Sequence, residues 1–236
     1  MHARVLAHPW HPGDHTPHAT TGQDSAVADR AVLRSRRFIL IAFAGALVTL
    51  AEYASLVGPI PLLDARGMSD QTSAWVLGIG GAGQVLGRLF YARLARVVGV
   101  PARASLVVVL VAVPIGLLAL VGGPAWVLIV LSVGAGLGRG LFTLVAATLV
   151  TDVWGPERYA ALNGVLSAPL AAAGALGPFV GAAGACLLGG YPGMFALLSA
   201  LALLGAVLMG VALKPATSVP DNLAAESGPA DLELVE

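Results

Sequence analysis

Residues 104–121 read ASLVVVLVAVPIGLLALV. Eighteen positions pass without a charge, and Ser105 carries the one polar side chain, so the stretch has the length and composition of a helix that crosses a bilayer. The same chemistry recurs on both sides of it. Further apolar runs lie at 38–62, 74–92, 125–150, 160–188 and 194–213, which makes six prospective crossings. The whole chain agrees with this reading. It has 236 residues, 57% of them hydrophobic and 11% charged, with a mean hydropathy of +0.85. Soluble domains carry about a quarter charged residues, and a globule of this size would lack the charge to cover its surface. An integral membrane protein follows, and six helices leave no length for a sizeable soluble domain.

Composition excludes several classes of function. The formal net charge is zero, so the basic footprint of a nucleic-acid-binding protein is missing. Cys186 is the sole cysteine, which rules out a disulfide framework or a cysteine-rich metal site within the chain. All five histidines (His2, His8, His11, His15, His18) precede the first apolar run. A Ser/His hydrolase, a His-ligated metal or a His-bound haem within the membrane therefore lacks its residues. No enzyme, cofactor or resident metal is expected, and no repeated selectivity-filter sequence points to a channel.

The charges between the runs set orientation. Arg34, Arg36 and Arg37 precede the first; Arg93, Arg96 and Arg103 lie between the second and third; Arg158 lies between the fourth and fifth, and Lys214 follows the sixth. The opposite turns carry Arg66 alone. The positive-inside rule puts both termini in the cytoplasm, as an even helix count requires. Residues 1–37, polar and Pro-rich with no apolar signal-peptide core, read as a disordered cytoplasmic segment or linker, and 214–236 as a disordered cytoplasmic tail. The histidines have a weakly chelating spacing, but a flexible tail offers no fixed ligand geometry.

The six runs differ in a regular way. The third and sixth are almost uniformly Leu, Val and Ala and read as lipid-facing. Each of the others carries a polar or small stripe on one helical face: Thr49, Glu52 and Tyr53; Gly80, Gln84, Gly87 and Arg88; Ser132, Arg139 and Thr143; Asn163, Ser167, Gly174, Gly177 and Gly181. The first and fourth runs start at 38 and 125, 87 residues apart, and the later pairs keep nearly that offset. Three helices used twice, the second set entering from the opposite side, is the inverted repeat common in secondary transporters, with the substrate site at mid-membrane. Adding 87 to Glu52 lands on Arg139.

Those two are the charges deep in the membrane, where a charge costs a few kcal/mol on insertion scales and is kept for a partner, a cavity or a task. Glu52 has the chemistry of a proton-titrating or cation-pairing group, and Arg139 that of an anchor for a carboxylate, sulfonate or phosphate. The alternatives are that the two form a buried ion pair, or that Arg139 pairs outside this chain. With Tyr53, Gln84 and Thr143 they make the candidate substrate site. Gly83 with Gly87 and Gly134 with Gly138 have the four-residue spacing that lets helix backbones approach closely, and Gly136 with Gly140 repeats it. The prolines at 114, 169 and 178 stand for either a gating bend or a static curve.

Three local patterns resemble the major facilitator superfamily, and the chain is most similar to its carboxy-terminal six-helix half. Gly83-Gln84-Val85-Leu86-Gly87-Arg88, followed by Arg93 and Arg96, resembles the family's basic motif between the second and third helices of a half; Tyr91 and Ala92 stand where its acidic residue usually falls. Asp152 to Gly164, with Glu157 and Arg158, is similar to the fourth-to-fifth-helix loop. Gly174 to Gly181, with Gly177 and Pro178, resembles the Gly-Pro motif of the antiporter branch, its first glycine one position out of register. The resemblance implies an all-α membrane protein, half of a fold in which two six-helix halves rock around one site. Its first, second, fourth and fifth helices would line the cavity, with Arg88, Arg93, Asp152, Glu157 and Arg158 at the gating loops. It also implies a plasma-membrane transporter of a small solute, and residues 1–37 would correspond to the linker between halves. With one half in view, the expectation is a truncated gene product, a half that dimerises, or one member of a split pair. The rival reading is a non-transporting helical subunit or a non-functional fragment.

Overall fold

A computed structural model describes residues 22–214. The histidines, the chain before residue 22 and the tail from 215 lie outside the described residues. Eight α-helices occur among the described residues, with no strand: α1 Gly22–Leu33, α2 Arg36–Ala54, α3 Pro59–Asp64, α4 Asp70–Val97, α5 Val100–Leu120, α6 Ala125–Trp154, α7 Tyr159–Leu187 and α8 Tyr191–Leu213. Five of the six long ones, α2, α5, α6, α7 and α8, are long and apolar enough to cross a membrane. The sixth, α4, has the length but also Asp70, Arg88, Arg93 and Arg96.

Local chemistry sets the boundaries. Ser35 caps α2 and accepts a hydrogen bond from the Phe38 N–H at 3.2 Å. Ser69 does the same for α4 from Thr72, and Asp70 in the first turn and Arg96 in the last complement the helix dipole. Pro101 enters the first turn of α5, where its missing N–H costs nothing. Gly155 ends α6 at φ +90°, a conformation that L side chains rarely adopt, and a 3-10 turn over Pro156–Arg158 leads into α7.

Two expectations are corrected. The run 38–62 is not one helix: α2 stops at Ala54 and α3 begins at Pro59. Pro59 and Pro61 lack the amide hydrogens that a continuous helix needs, and their rings exclude the preceding turn. The 1–37 segment, read as disordered, contains α1, whose Val32 and Leu33 pack against the core and whose Asp29 lies 3.7 Å from Arg158.

The long helices alternate in direction. One end of the bundle carries α1, the α4–α5 turn and the α6–α7 turn; the other carries α3. At the α3 end Arg66 donates to the carbonyls of Val121 and Leu118 at 2.7 and 2.9 Å, closing the open end of α5. Partial burial there lowers the Arg66 guanidinium from its ordinary pKa.

The principal packing pairs are α4 on α6, α5 on α8, α2 on α7, α2 on α8 and α5 on α6. The densest core lies among α2, α5 and α8, around Ile41, Val48, Val107, Ile115 and Leu198. The third and sixth runs, read as lipid-facing, turn only one side outward, with Leu106, Val113, Leu203 and Val207 exposed. Their other sides meet each other, where the Ser199 hydroxyl donates to the Ala112 carbonyl at 2.9 Å. Of the 29 residues of α7, only Leu162, Leu166, Gly177, Gly181 and Ala185 are buried.

Glycine makes the closest approaches. A Cβ on Gly136 or Gly140 would strike the carbonyls of Gly80 and Gln84, and one on Gly83 or Gly87 would strike those of Val133 and Leu137. Thus α4 and α6 run backbone against backbone. The interleaved pair Gly134 and Gly138 turns instead to α5, meeting Pro114 and the Leu110 carbonyl. On α7, Gly177 lies against Tyr53 and Ala54 of α2. Pro178, grouped with these packing residues from the sequence, is exposed and contributes no such contact.

Candidate functional site

Glu52 lies about 24 Å along α2 from its start, and Arg139 about 22 Å from the end of α6, so the two stand at nearly the same level of the bundle. Glu52 is only 4% exposed. Its Oε1 and the Arg139 Nε are buried without a hydrogen-bond partner among the described residues. The two do not form an ion pair; those among the described residues are Arg103–Asp152 and Arg158–Asp29. Ser55 touches both residues. The Arg139 Nη2 donates to the Ser55 hydroxyl at 3.4 Å, and that hydroxyl donates to the Glu52 carbonyl at 2.7 Å.

Each charge faces its own cavity. Arg139 and Gln84 line one of about 280 Å³, bounded by Ser55, α3 and the early turns of α4 and α6. Glu52, Tyr53 and Thr143 line another of about 320 Å³, bounded by α7 at Leu170 and Gly174. On α6 the first takes residues up to Arg139 and the second residues from Phe142 onward, so they follow one another along that helix. The five residues named for one substrate site from the sequence thus line two cavities, Arg139 and Gln84 the first and Glu52, Tyr53 and Thr143 the second. Within these walls Ser132 donates to the Val76 carbonyl at 2.8 Å, and Thr143 to the Arg139 carbonyl at 2.9 Å.

At the other end of the bundle, Asp152 forms an ion pair with Arg103, which is 5% exposed. The Arg103 guanidinium lies 5.5 Å from the centre of the Tyr91 ring, a cation–π distance, and the Tyr91 hydroxyl meets that of Thr148. Tyr91 is the residue at the acid's usual place in the basic motif. Here the ring engages a cation whose carboxylate comes from α6, so α4, α5 and α6 are tied together through Arg103. Arg88, Arg93 and Glu157 are exposed, and Arg158 reaches α1 through Asp29. Arg37 lies 6.0 Å from the centre of the Trp154 ring, which also packs against Phe38.

The bundle combines long apolar helices, a buried carboxylate and two open cavities, and the comparison with family models gives it a family. The model of the Major Facilitator Superfamily matches residues 25–234. The chain belongs to that superfamily. No curated protein and no solved structure matches it. Membership makes it an integral membrane protein of a transporter family whose members bind small solutes, not of an enzyme family. Of the residues around these cavities and the Asp152 ion pair, Ser55 is the one the sequence reading did not name; Ser132, Tyr91 and Arg103 were named there only as a stripe, motif or loop residue. A signal existed for Arg103, a cation set beside the first turn of a crossing helix, but none for Ser55, which follows the last helical residue of α2.

Proposed function

We propose that the chain forms a six-helix half of a secondary active transporter that carries a small organic anion by alternating access, coupled to protons. Arg139 anchors the anion, Glu52 takes and releases the proton, and Tyr53, Gln84 and Thr143 complete the cavity walls. The observation that carries this reading is that Glu52 and Arg139, at one level of the bundle and each with a buried polar atom that has no partner among the described residues, make no ion pair and line different cavities. A pair kept only for structure would be joined, because an unpaired buried charge is costly.

In this proposal α4 also crosses, giving six spans with both termini on the cytoplasmic side of the plasma membrane. Two inverted triplets, α2–α4–α5 and α6–α7–α8, are supported by the packing. Exchanging α2 with α6, α4 with α7 and α5 with α8 turns α2 on α7 into α6 on α4, turns α2 on α8 into α6 on α5, and returns α5 on α8 to itself. A second six-helix half, another copy or a separate chain, covers the side where α4 and α7 expose Gly81, Val85, Gly164, Ser167 and Ala171. Polar-striped faces in lipid have no partner, whereas small residues let another helix approach.

The test is anion uptake into proteoliposomes by the wild type and Arg139→Ala. The variant is expected to lose at least about 90% of the flux, a factor of ten being worth 1.4 kcal/mol of binding. Equal flux overturns the anchor assignment.

A further inference from the structure

The two cavities differ in more than the sign of their charge. The cavity at Arg139 is walled by Leu56, Leu62, Val76, Leu77, Ile115 and Phe195, and its polar side is Ser55, Gln84, Ser132 and Arg139. Two of those four are already engaged: Ser132 donates to a carbonyl, and Ser55 holds the guanidinium. What faces the space is one cation beside one amide at the edge of an apolar chamber.

We propose that this cavity is the anion subsite, that its ligand is a monocarboxylate with an apolar body the size of one ring and a short chain, and that Ser55 is the positioning residue that aims the guanidinium at it. The proposal rests on the transporter reading given above and specifies its substrate. Three arguments carry it. Charge comes first: one guanidinium neutralises one negative charge, and a second carried into an apolar chamber would stay unpaired at a cost of several kcal/mol. Glu52 does not oppose the anion from within, because it lines the other cavity. Shape comes second. The Arg139 guanidinium lines the cavity, and its planar fork matches a carboxylate. Size comes third: apolar cavities of about 150 Å³ accept benzene, so about 280 Å³ holds a ring and a three-carbon chain. An anion without such a body leaves apolar walls uncovered and forfeits about 25 cal/mol for each Å² not buried.

The test is equilibrium binding of radiolabelled 4-phenylbutyrate to the full chain in lipid nanodiscs, with 4-phenylbutanamide and acetate as competitors. The acid is expected to bind about tenfold more tightly than either, the amide lacking the charge and acetate the body. Arg139→Gln should bring the acid down to the level of the amide. Ala135→Leu, which fills this cavity, should weaken the acid more than Ala175→Leu, which fills the other. Ser55→Ala should weaken it less than Arg139→Gln, and Ser55→Thr should restore it. Equal affinity for acid and amide, a larger effect of Ala175→Leu, or no saturable binding of the acid overturns the proposal; the ligand comparison needs no variant to fold. Binding without flux in liposomes contradicts the transporter reading alone, and acetate flux without binding of the acid contradicts this inference alone.

Discussion

Ser55 links Arg139 to α2, accepting a hydrogen bond from the Arg139 guanidinium and donating one to the main-chain carbonyl of Glu52. It occupies the first position after α2, where the chain leaves the helix for the break before Pro59. A conformational change that moved α3 against α2 would act on this residue, and through it on the guanidinium.

Ser55→Ala should therefore raise the KM for anion uptake by about three- to tenfold, within the range of an ordinary intramolecular hydrogen bond, and leave the thermal stability almost unchanged. Uptake kinetics and melting in detergent separate the two effects. A fall in Tm with an unaltered KM would assign the hydroxyl to holding the helix end only.

The backbone contact of α4 with α6 predicts a sharp positional pattern. Gly136→Val and Gly140→Val each place a side chain into a carbonyl of α4, and each should cost about 2 kcal/mol or more in stability. Gly78→Ala, on the same α4 but with nothing within 4 Å of its added Cβ, should be neutral or stabilising. Melting of the purified proteins in detergent is the check.

At the opposite end, Asp152→Asn leaves the Arg103 guanidinium buried without its counter-charge. The expected loss is about 3 kcal/mol, compared with less than about 1 kcal/mol for Arg158→Gln, whose partner Asp29 lies 3.7 Å away in a more exposed pair. Equal stability of the two variants would mean that the Arg103 network contributes no more than a surface pair.

A second half against α7 predicts cross-linking. In a Cys186→Ser background, Ser167→Cys should form a cross-linked product in the membrane, while Leu106→Cys on the outer face of α5 should not. A product of twice the chain mass identifies a second copy. The same yield from both positions would contradict a specific contact.

The sequence was most informative where one helix decides the outcome alone. The expected runs 125–150 and 160–188 correspond to helices at 125–154 and 159–187, because length and apolarity are local properties. The break at Pro59 was also visible in principle, since two prolines stood inside a run read as continuous. Which cavity each polar residue lines was not. A stripe on α2 and a stripe on α6 give the level of Glu52 and Arg139, but the neighbours that wall each cavity, α3 and α4 for one and α7 for the other, come from tertiary packing. The Tyr91–Arg103–Asp152 set was hidden for a similar reason: its members sit on three helices and share no sequence spacing.

In the proposed cycle Glu52 and Arg139 have separate tasks, and uptake under an imposed pH gradient measured beside anion exchange without one tests this most directly. In proteoliposomes, Glu52→Gln should retain exchange and lose the acceleration by the gradient, whereas Arg139→Ala should lose both. Gradient-driven uptake by Glu52→Gln at the wild-type rate, or the same loss in both assays for both variants, would contradict it.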